Sequence, residues 1–161
     1  MSTVGRVLAW VALTPIVVLV AGIGGCEARK EYYDWQVRKM CEKDGGVTIY
    51  DRVSVTRSQF EAMGKVGGFA SVPPKRLASP DAPVFSVATE IVIKEGRPGV
   101  RKREETVFRS ADEEIVALVV SYWREGGDFP SFAHPSSFVC PDPLGNVAAR
   151  EKLFVVTGEQ R

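Results

Sequence analysis

One group of residues has side chains that could carry out nucleophilic chemistry, and it surrounds the only histidine of the chain, His134. Asp128 precedes this histidine and Ser136 and Ser137 follow it, so a Ser/His/Asp hydrolase is one hypothesis. Such a triad requires three side chains to meet at hydrogen-bonding distance, and proximity in a proline-rich segment does not provide this. The chain also has no Gly-x-Ser-x-Gly motif, the turn that presents the nucleophilic serine in many hydrolases. We therefore expect a surface segment in which His134 and Pro135 shape a turn, and the hydrolase stays as an alternative.

Cys140 lies close to the same histidine, and it suggests a thiol nucleophile or a zinc site completed by Asp142. Thiol catalysis needs a reduced cysteine with a lowered pKa, and structural zinc sites need paired Cys or His ligands at short spacing. Neither requirement is met by the sequence. The glycines at 64, 67 and 68 are not followed by the Gly-Lys-Ser/Thr of a phosphate-binding loop. We therefore predict no catalytic residue, no metal ligand and no cofactor.

The first 25 residues have the composition of a targeting or anchoring segment. Arg6 is followed by 19 uncharged and mostly apolar residues, Val7 to Gly25. A basic start, an apolar stretch and small residues at its end fit a cleaved secretory signal. The length also fits an uncleaved transmembrane helix, because about 20 apolar residues cross a hydrocarbon core of ~30 Å. Basic residues on the two sides of this segment are nearly balanced, so loop charge does not determine the orientation.

The end of this segment, Ile23-Gly24-Gly25-Cys26, resembles the lipobox of bacterial lipoprotein precursors. The resemblance implies cleavage before Cys26, a diacylglycerol on its thiol and a further acyl chain on the new amino terminus, which together anchor a protein stably where one chain does not. Glu27 follows the cysteine, and in enteric-type bacteria this favours the outer membrane over the inner one. The stretch from Tyr122 to Pro141 weakly resembles segments of uncharacterised bacterial envelope proteins, and no function comes with that likeness. We expect residues 1–25 to be a signal peptide or membrane anchor and residues 26–161 to form a single extracytoplasmic domain.

If Cys26 carries lipid, two cysteines remain, Cys41 and Cys140. In an oxidising periplasm an isolated pair is most simply a disulfide. It would join the N-terminal helix to the C-terminal region across 98 intervening residues. The alternative is two buried thiols that pack as small apolar groups.

The charge of the chain argues against nucleic-acid binding. Loss of residues 1–25 would remove one basic residue and no acidic one, which leaves 20 of each sign. Because nucleic-acid-binding proteins carry a marked basic excess, we predict no nucleic-acid partner. A body of this size is one ordinary domain with its own core.

Hydrophobic periodicity predicts an α+β fold. Tyr33, Val37, Met40 and Cys41 form one apolar stripe, which predicts a helix from Glu27 to Asp44 that ends at the following glycines. Period-two alternation and apolar runs predict the strands. The predicted elements after the helix are a strand at Val47–Val55 with a bulge near Asp51, a short helix at Arg57–Lys65, an irregular loop at Gly67–Pro83, strands at Phe85–Ile93, Val100–Arg109 and Ile115–Trp123, coil at Phe129–Gly145, and a last strand at Leu153–Thr157. Val100–Arg109 is the most polar of these strands and suits a sheet edge, whereas Ile115–Trp123 is apolar on both faces and suits the centre. We expect the N-terminal helix to pack on an antiparallel meander of four or five strands.

Five basic residues lie around one predicted hairpin, and they could contact anionic lipid. The alternative is that they protect an exposed strand edge from aggregation, since Glu95, Glu104 and Glu105 dilute their charge. These residues are Lys94, Arg97, Arg101, Lys102 and Arg103.

The function we expect is that of a membrane-anchored bacterial envelope lipoprotein. It would face the periplasm from the outer membrane, through lipid on Cys26 or through helix 7–25, and bind an unknown envelope protein partner in a non-enzymatic or structural role. The two alternatives are an envelope hydrolase centred on His134 and an uncleaved single-span membrane protein.

Overall fold

The computed structural model describes residues 3–66, 68–127 and 136–158, and at 3–23, 66 and 69 it describes the backbone alone. Three α-helices, one short 3-10 helix and nine strands follow one another in this part of the chain. They are α1 (Thr3–Asp44), β1 (Gly46–Ile49), β2 (Val53–Thr56), α2 (Arg57–Ala62), β3 (Lys65–Val66), β4 (Phe69–Ala70), the 3-10 helix Lys75–Leu77, β5 (Val84–Lys94), β6 (Gly99–Arg109), β7 (Ile115–Glu125), β8 (Ser137–Cys140), α3 (Pro143–Glu151) and β9 (Phe154–Thr157).

The main sheet has five strands and is antiparallel throughout. Strands β5, β6, β7 and β8 are neighbours in the order in which the chain makes them, and β1 pairs with β7 beside β8. The central position of β7 agrees with its apolar sequence, because both of its faces are covered. The prediction of an α+β fold, with an N-terminal helix on an antiparallel meander, is confirmed.

Helix α1 packs on one face of this sheet, which we call the helix face. The predicted apolar stripe makes the contact: Val37 and Cys41 are buried against Val100 of β6 and against Val120 and Tyr122 of β7. Because side chains alternate across a strand, residues 118, 120, 122 and 124 of β7 all lie on the helix face. The helix ends at Asp44 as predicted, and Gly46, two residues later, has a φ of +119°, a conformation that glycine adopts readily.

The opposite face of the sheet carries the larger core. Strands β2 and β9 pair in parallel and cover Val107 and Ala117 of the main sheet. Leu153 is only 1% exposed at the centre of this cluster. Helix α3 lies on the same side and contacts β1 and β4. The body is therefore closed on one face by α1 and on the other by the C-terminal elements.

Two strand predictions need correction. The predicted strand Val47–Val55 is two strands, β1 and β2, which belong to different sheets because the chain turns at residues 50–52. The polar strand β6 is not an edge, since it lies between β5 and β7. Its charged side chains are accommodated there by ion pairs. Lys102 is paired with Asp44 of α1, and Glu105 is paired with Arg150 of α3. On this side of the sheet the edge strand is β5.

The predicted coil at Phe129–Gly145 contains two regular elements, β8 and the start of α3. Asp142 caps α3 by accepting a hydrogen bond from the Gly145 amide, and Pro143 occupies the first helical turn. Asp-Pro is a known signal for a helix start. The prediction of coil was wrong here because it relied on the four prolines of the region. Residues 128–135, which include His134, lie outside the described residues.

In the part of the chain whose side chains are described, none of the helices has the length and apolarity needed to cross a membrane. Residues 7–23, on which the prediction of a signal or anchor mostly falls, lie outside that part.

Candidate functional site: the junction of the N-terminal helix and the sheet

The described residues concentrate their buried polar contacts where α1 meets the sheet, and we call this region the helix–sheet junction. It consists of Asp34, Cys41 and Asp44 on α1 and of the groups that they contact on β6, β7 and β8. Asp34 and Cys41 belong to the same helical stripe as Val37, because residues three or four apart share a face. The stripe that packs the helix therefore also carries its covalent and ionic links to the body.

The covalent link is a disulfide between Cys41 and Cys140, which confirms the predicted pairing. Its two Cα atoms are 5.9 Å apart, an ordinary separation for a disulfide. The bond joins α1 to β8, the last strand of the main sheet. Cys41 is 7% exposed and Cys140 is half-buried, so the packed helix shields the bond from solvent on the Cys41 side.

The ionic link joins Asp34 to Arg124 at the far end of β7. The Arg124 side chain is 2% exposed, and its Nε donates to Asp34 Oδ1 while Nη2 lies 3.4 Å from Oδ2. Nη1 donates to the carbonyl oxygens of Gly126 and Ser136, and Nη2 also donates to Ser136 Oγ. One guanidinium thus holds the helix and both ends of the β7–β8 connection.

Sequence reasoning did not single out this pair. A signal was present, because Asp34 lies three residues before Val37 and seven before Cys41 on a stripe that is otherwise apolar. An acidic residue at such a position needs a buried cationic partner. Arg124, in an apolar strand, is the matching basic residue.

A second polar cluster fixes the end of α1. Tyr122 Oη donates to Asp44 Oδ1 at 2.7 Å, and Lys102 Nζ lies 2.9 Å from Asp44 Oδ2 and 2.8 Å from Glu104 Oε1. Burial raises the pKa of Asp44, but the hydrogen bonds from Lys102 and Tyr122 outweigh it, so this pKa lies below its usual value. The hydrogen bonds to Glu104 and Asp44 raise the pKa of Lys102, and burial raises the pKa of Tyr122. The arrangement stabilises the ionised carboxylate and ammonium and the neutral phenol.

The five basic residues predicted as a possible lipid contact do not form one surface. Lys102 lies on the helix face, and Arg101 and Arg103 lie on the opposite face, as alternation along β6 requires. Arg101 is paired with Glu90, and Arg103 lies 3.7 Å from Glu105.

The remaining two basic residues lie at the end of the hairpin. Lys94 donates to the carbonyl oxygens of Glu95 and Pro98, and its ammonium lies over the Tyr33 ring. Arg97 is exposed in the turn. Four of the five cations are thus held by carboxylates or carbonyls of the protein itself, and a contact with lipid stays a prediction.

Of the residues considered for catalysis, three are described. Ser136 accepts a hydrogen bond from Arg124, Ser137 is exposed at the start of β8, and Cys140 is in the disulfide. An arginine cannot accept the proton of a serine, so the observed contact of Ser136 does not activate it as a nucleophile. Because Cys140 is oxidised, the thiol hypothesis for this residue is excluded. Among the described residues, no group of three His, Cys, Asp or Glu side chains is arranged to hold a metal ion.

Cys26 lies on α1 with its thiol unpaired and partly exposed. Tyr32 and Trp35 follow it on the same helix, stack on each other and are 52% and 53% exposed. Such large aromatic side chains on a helix close to a bilayer prefer the interface between lipid and water.

A cleft of about 580 Å³ opens between α2 and the segment from Ser71 to Val84. Its volume is that of a small-molecule site, and its lining is mostly apolar, with Asp81 as the only charged residue among the described lining residues. The Gly/Pro/Ser-rich stretch predicted as a surface loop thus forms one wall of a cleft.

The chain matches no protein-family model, no curated protein and no solved structure.

Proposed function

We propose that this protein is a bacterial envelope lipoprotein, anchored through acyl chains on Cys26, whose body acts as a non-enzymatic binding or structural module at the periplasmic membrane surface. The observation that carries the proposal is the position of Cys26 relative to the helix–sheet junction. Cys26 lies on α1 only eight residues before Asp34, the first residue of the junction.

The rise of the helix gives the distance between Cys26 and the body. At 1.5 Å per residue, Cys26 is about 12 Å from Asp34 and about 22 Å from Cys41 along the helix axis. The polar headgroup layer on one side of a bilayer is roughly 5–8 Å thick. A body held this way would stand directly above the headgroups, with Tyr32 and Trp35 on the membrane-proximal part of α1.

The disulfide supports an extracytoplasmic location for the body. Disulfides persist in oxidising compartments and are rare in the cytosol. A covalent link from α1 to β8 would also keep the helix that carries Cys26 packed on the sheet. This is a use for a bond that closes so long a loop.

A non-enzymatic role is supported by the way the polar groups of the junction are used. The carboxylates of Asp34 and Asp44 each bind a cation of the body, and the hydroxyl of Tyr122 donates to one of them. These contacts hold elements together.

Metabolic labelling of the full chain with radioactive palmitate, in its native bacterium or in a related host, tests the anchoring. We expect the wild-type protein to incorporate label and the Cys26→Ser variant to lose it, because the thioether can form only on the cysteine. Ser2→Ala is a matched control within the leader and is expected to label as wild type. Label that enters Cys26→Ser to the wild-type extent would contradict the proposal.

Intact-mass measurement of the membrane-extracted protein separates the proposal from an uncleaved span. A lipoprotein would lack residues 1–25 and carry acyl chains, whereas a single-span protein would retain the full 17.6 kDa chain. The second result would overturn the lipoprotein proposal and favour the helix anchor.

A further inference from the structure

Two pairs of exposed apolar side chains lie next to each other where α1 passes the end of β5. Tyr32 and Trp35 of α1 are 52% and 53% exposed, and their rings stack on each other. Ile91 and Ile93 of β5 are 41% and 45% exposed. We call these four side chains the aromatic–isoleucine face.

The strand register places the isoleucines on the same side of the sheet as α1. Ile91 pairs with Lys102, whose ammonium contacts α1 on the helix face, and paired residues of neighbouring strands share a face. Ile93 lines a shallow cleft of about 290 Å³ together with Trp35 and Met40 of α1. The aromatic and the isoleucine halves of the face are therefore contiguous.

Two cations line the same cleft, and both are held by oxygen atoms of the protein itself. Lys39 is paired with Glu42, and Lys94 donates to the carbonyl oxygens of Glu95 and Pro98. Because these charges are already matched, the attraction that the face can exert on a partner comes from its apolar and aromatic side chains.

The position of the face on α1 determines which surface it meets. Helix α1 is unbroken from Thr3 to Asp44, and the apolar segment of the sequence ends directly before Cys26. Tyr32 and Trp35 are only about 9 Å and about 14 Å beyond Cys26 along the helix axis. Anchoring at Cys26 would thus keep the bilayer permanently beside this face. Tyrosine and tryptophan are also the side chains that membrane proteins concentrate at the boundary between lipid and water.

We propose that the aromatic–isoleucine face is a lipid-docking surface, through which the body lies against the headgroup layer with α1 running along the membrane and not normal to it. The proposal rests on the proposed anchoring at Cys26. Acyl chains would leave from the first residue of the mature chain, so no preceding helix holds α1 upright. Tyr32 and Trp35 lie at the boundary of lipid and water, and Ile91 and Ile93 enter between the headgroups.

The orientation follows from where the isoleucines lie along α1. The α1 residues that share the cleft with Ile93 are between Trp35 and Met40, about 14–21 Å from Cys26 along the helix axis. The headgroup layer is only roughly 5–8 Å thick. A helix normal to the membrane would hold Ile91 and Ile93 in water beyond this layer. A helix along the membrane surface brings all four side chains to it, and removal of their apolar area from water favours that orientation.

Quenching of tryptophan fluorescence by brominated lipid tests the docking with no other protein present. Trp10→Phe/Trp123→Phe leaves Trp35 as the only tryptophan of the full chain. The membrane-extracted protein is reconstituted into vesicles of phosphatidylcholine whose acyl chains carry bromine close to the headgroup. We expect the brominated lipid to reduce the fluorescence of Trp35 twofold or more relative to the same lipid without bromine. A smaller reduction would overturn the proposal.

Ile91→Glu/Ile93→Glu, made in the same single-tryptophan chain, tests whether the body lies on its isoleucines. Two carboxylates resist burial among headgroups and acyl chains, so we expect the quenching of Trp35 to fall more than twofold. Val155→Glu/Val156→Glu is the matched control, since these residues are 41% and 40% exposed on β9, on the other side of the sheet. The control should be quenched like the parent chain. If the isoleucine variant is quenched to within twofold of this control, the body does not dock through β5.

A second reporter covers the case in which the charged variants fail to fold. Ile93→Trp and Val155→Trp are made in a chain whose three native tryptophans are replaced by phenylalanine, and each places an apolar probe at a surface position. We expect brominated lipid to quench the probe at 93 at least twofold more strongly than the probe at 155. Similar quenching of the two probes would contradict the docking.

The intact mass of the reconstituted protein separates the docking from the anchoring on which it rests. Acylated protein without quenching at Trp35 would overturn the docking and leave the lipoprotein proposal in place. Protein that keeps residues 1–25 and carries no acyl chain would overturn the anchoring, whatever the quenching.

Discussion

Asp34 of α1 and Arg124 of β7 are 90 positions apart in the chain and form an ion pair from which solvent is almost fully excluded, with side-chain exposures of 9% and 2%. Removing two charges from water is unfavourable, and it is compensated only when the pair is well satisfied by hydrogen bonds. Here the guanidinium makes further bonds to Gly126 and Ser136, so its donors are used on both sides. The pair therefore holds the Asp34 end of α1 against the end of β7.

Loss of Arg124 should destabilise the body strongly. Arg124→Met leaves the Asp34 carboxylate buried without its counter-ion, and we expect the free energy of unfolding in urea to fall by about 3–5 kcal/mol. Arg101→Met is the matched control, because its pair with Glu90 is 44% and 46% exposed. Because solvent screens such an exposed pair, its loss should change the stability little. If both variants lost the same free energy of unfolding, burial of the Asp34–Arg124 pair would not be the reason for its effect on stability.

Loss of the disulfide should also destabilise the body. In the double variant Cys41→Ala/Cys140→Ala the unfolded chain is no longer closed into a long loop, and its greater entropy lowers the free energy of unfolding by about 2–5 kcal/mol. The effect is measured by urea unfolding, and addition of a reductant should lower wild type to a similar level. Cys26→Ala is the control and should leave stability in detergent unchanged. Wild-type stability in the double variant would show that the cross-link contributes nothing.

Part of the fold could be predicted from the sequence because local patterns carried the information. The stripe Tyr33, Val37, Met40 and Cys41 predicted how α1 packs, and the apolar run Ile115–Trp123 predicted the central strand. The disulfide followed from the count of cysteines once Cys26 was set aside. Each of these inferences depends on the period of one element or on one residue type.

The errors arose where the partner of a segment decides its structure. Polarity made β6 look like an edge, yet Asp44 and Arg150 from distant elements neutralise its charges. The Asp34–Arg124 pair was missed for the same reason, since no local pattern joins residues so far apart. The open edge at β5 was hidden because alternation alone predicts a half-buried strand and does not say whether a neighbour lies beside it.

The C-terminal end of α1 can keep its conformation only because Gly45, the residue after the helix, has no side chain. A Cβ atom there would lie 2.7 Å from the Cys41 carbonyl oxygen and 2.9 Å from its Cα, both of which belong to the backbone. Gly45→Ala should therefore displace the end of the helix that carries the disulfide, and we expect a loss of about 1–3 kcal/mol in the free energy of unfolding. The matched control is Gly64→Ala, where a Cβ meets nothing within 4 Å. A smaller loss for Gly45→Ala than for Gly64→Ala would contradict this packing.

The pH dependence of stability should report the cluster at the end of α1. The hydrogen bonds from Lys102 and Tyr122 hold the pKa of Asp44 in the folded protein below its ordinary value of 3.8. A group with a lowered pKa contributes stability above its unfolded pKa, and the contribution is lost as the pH falls through the lower folded value. The free energy of unfolding of wild type and of Asp44→Asn can be measured in urea between about pH 6 and about pH 2. The difference between the two proteins should be constant near the upper pH and should become smaller as the pH falls. Tyr122→Phe keeps the carboxylate and removes one donor to it, so its profile should lie between the two. Parallel profiles for wild type and Asp44→Asn over the whole range would mean that Lys102 and Tyr122 do not stabilise the ionised carboxylate.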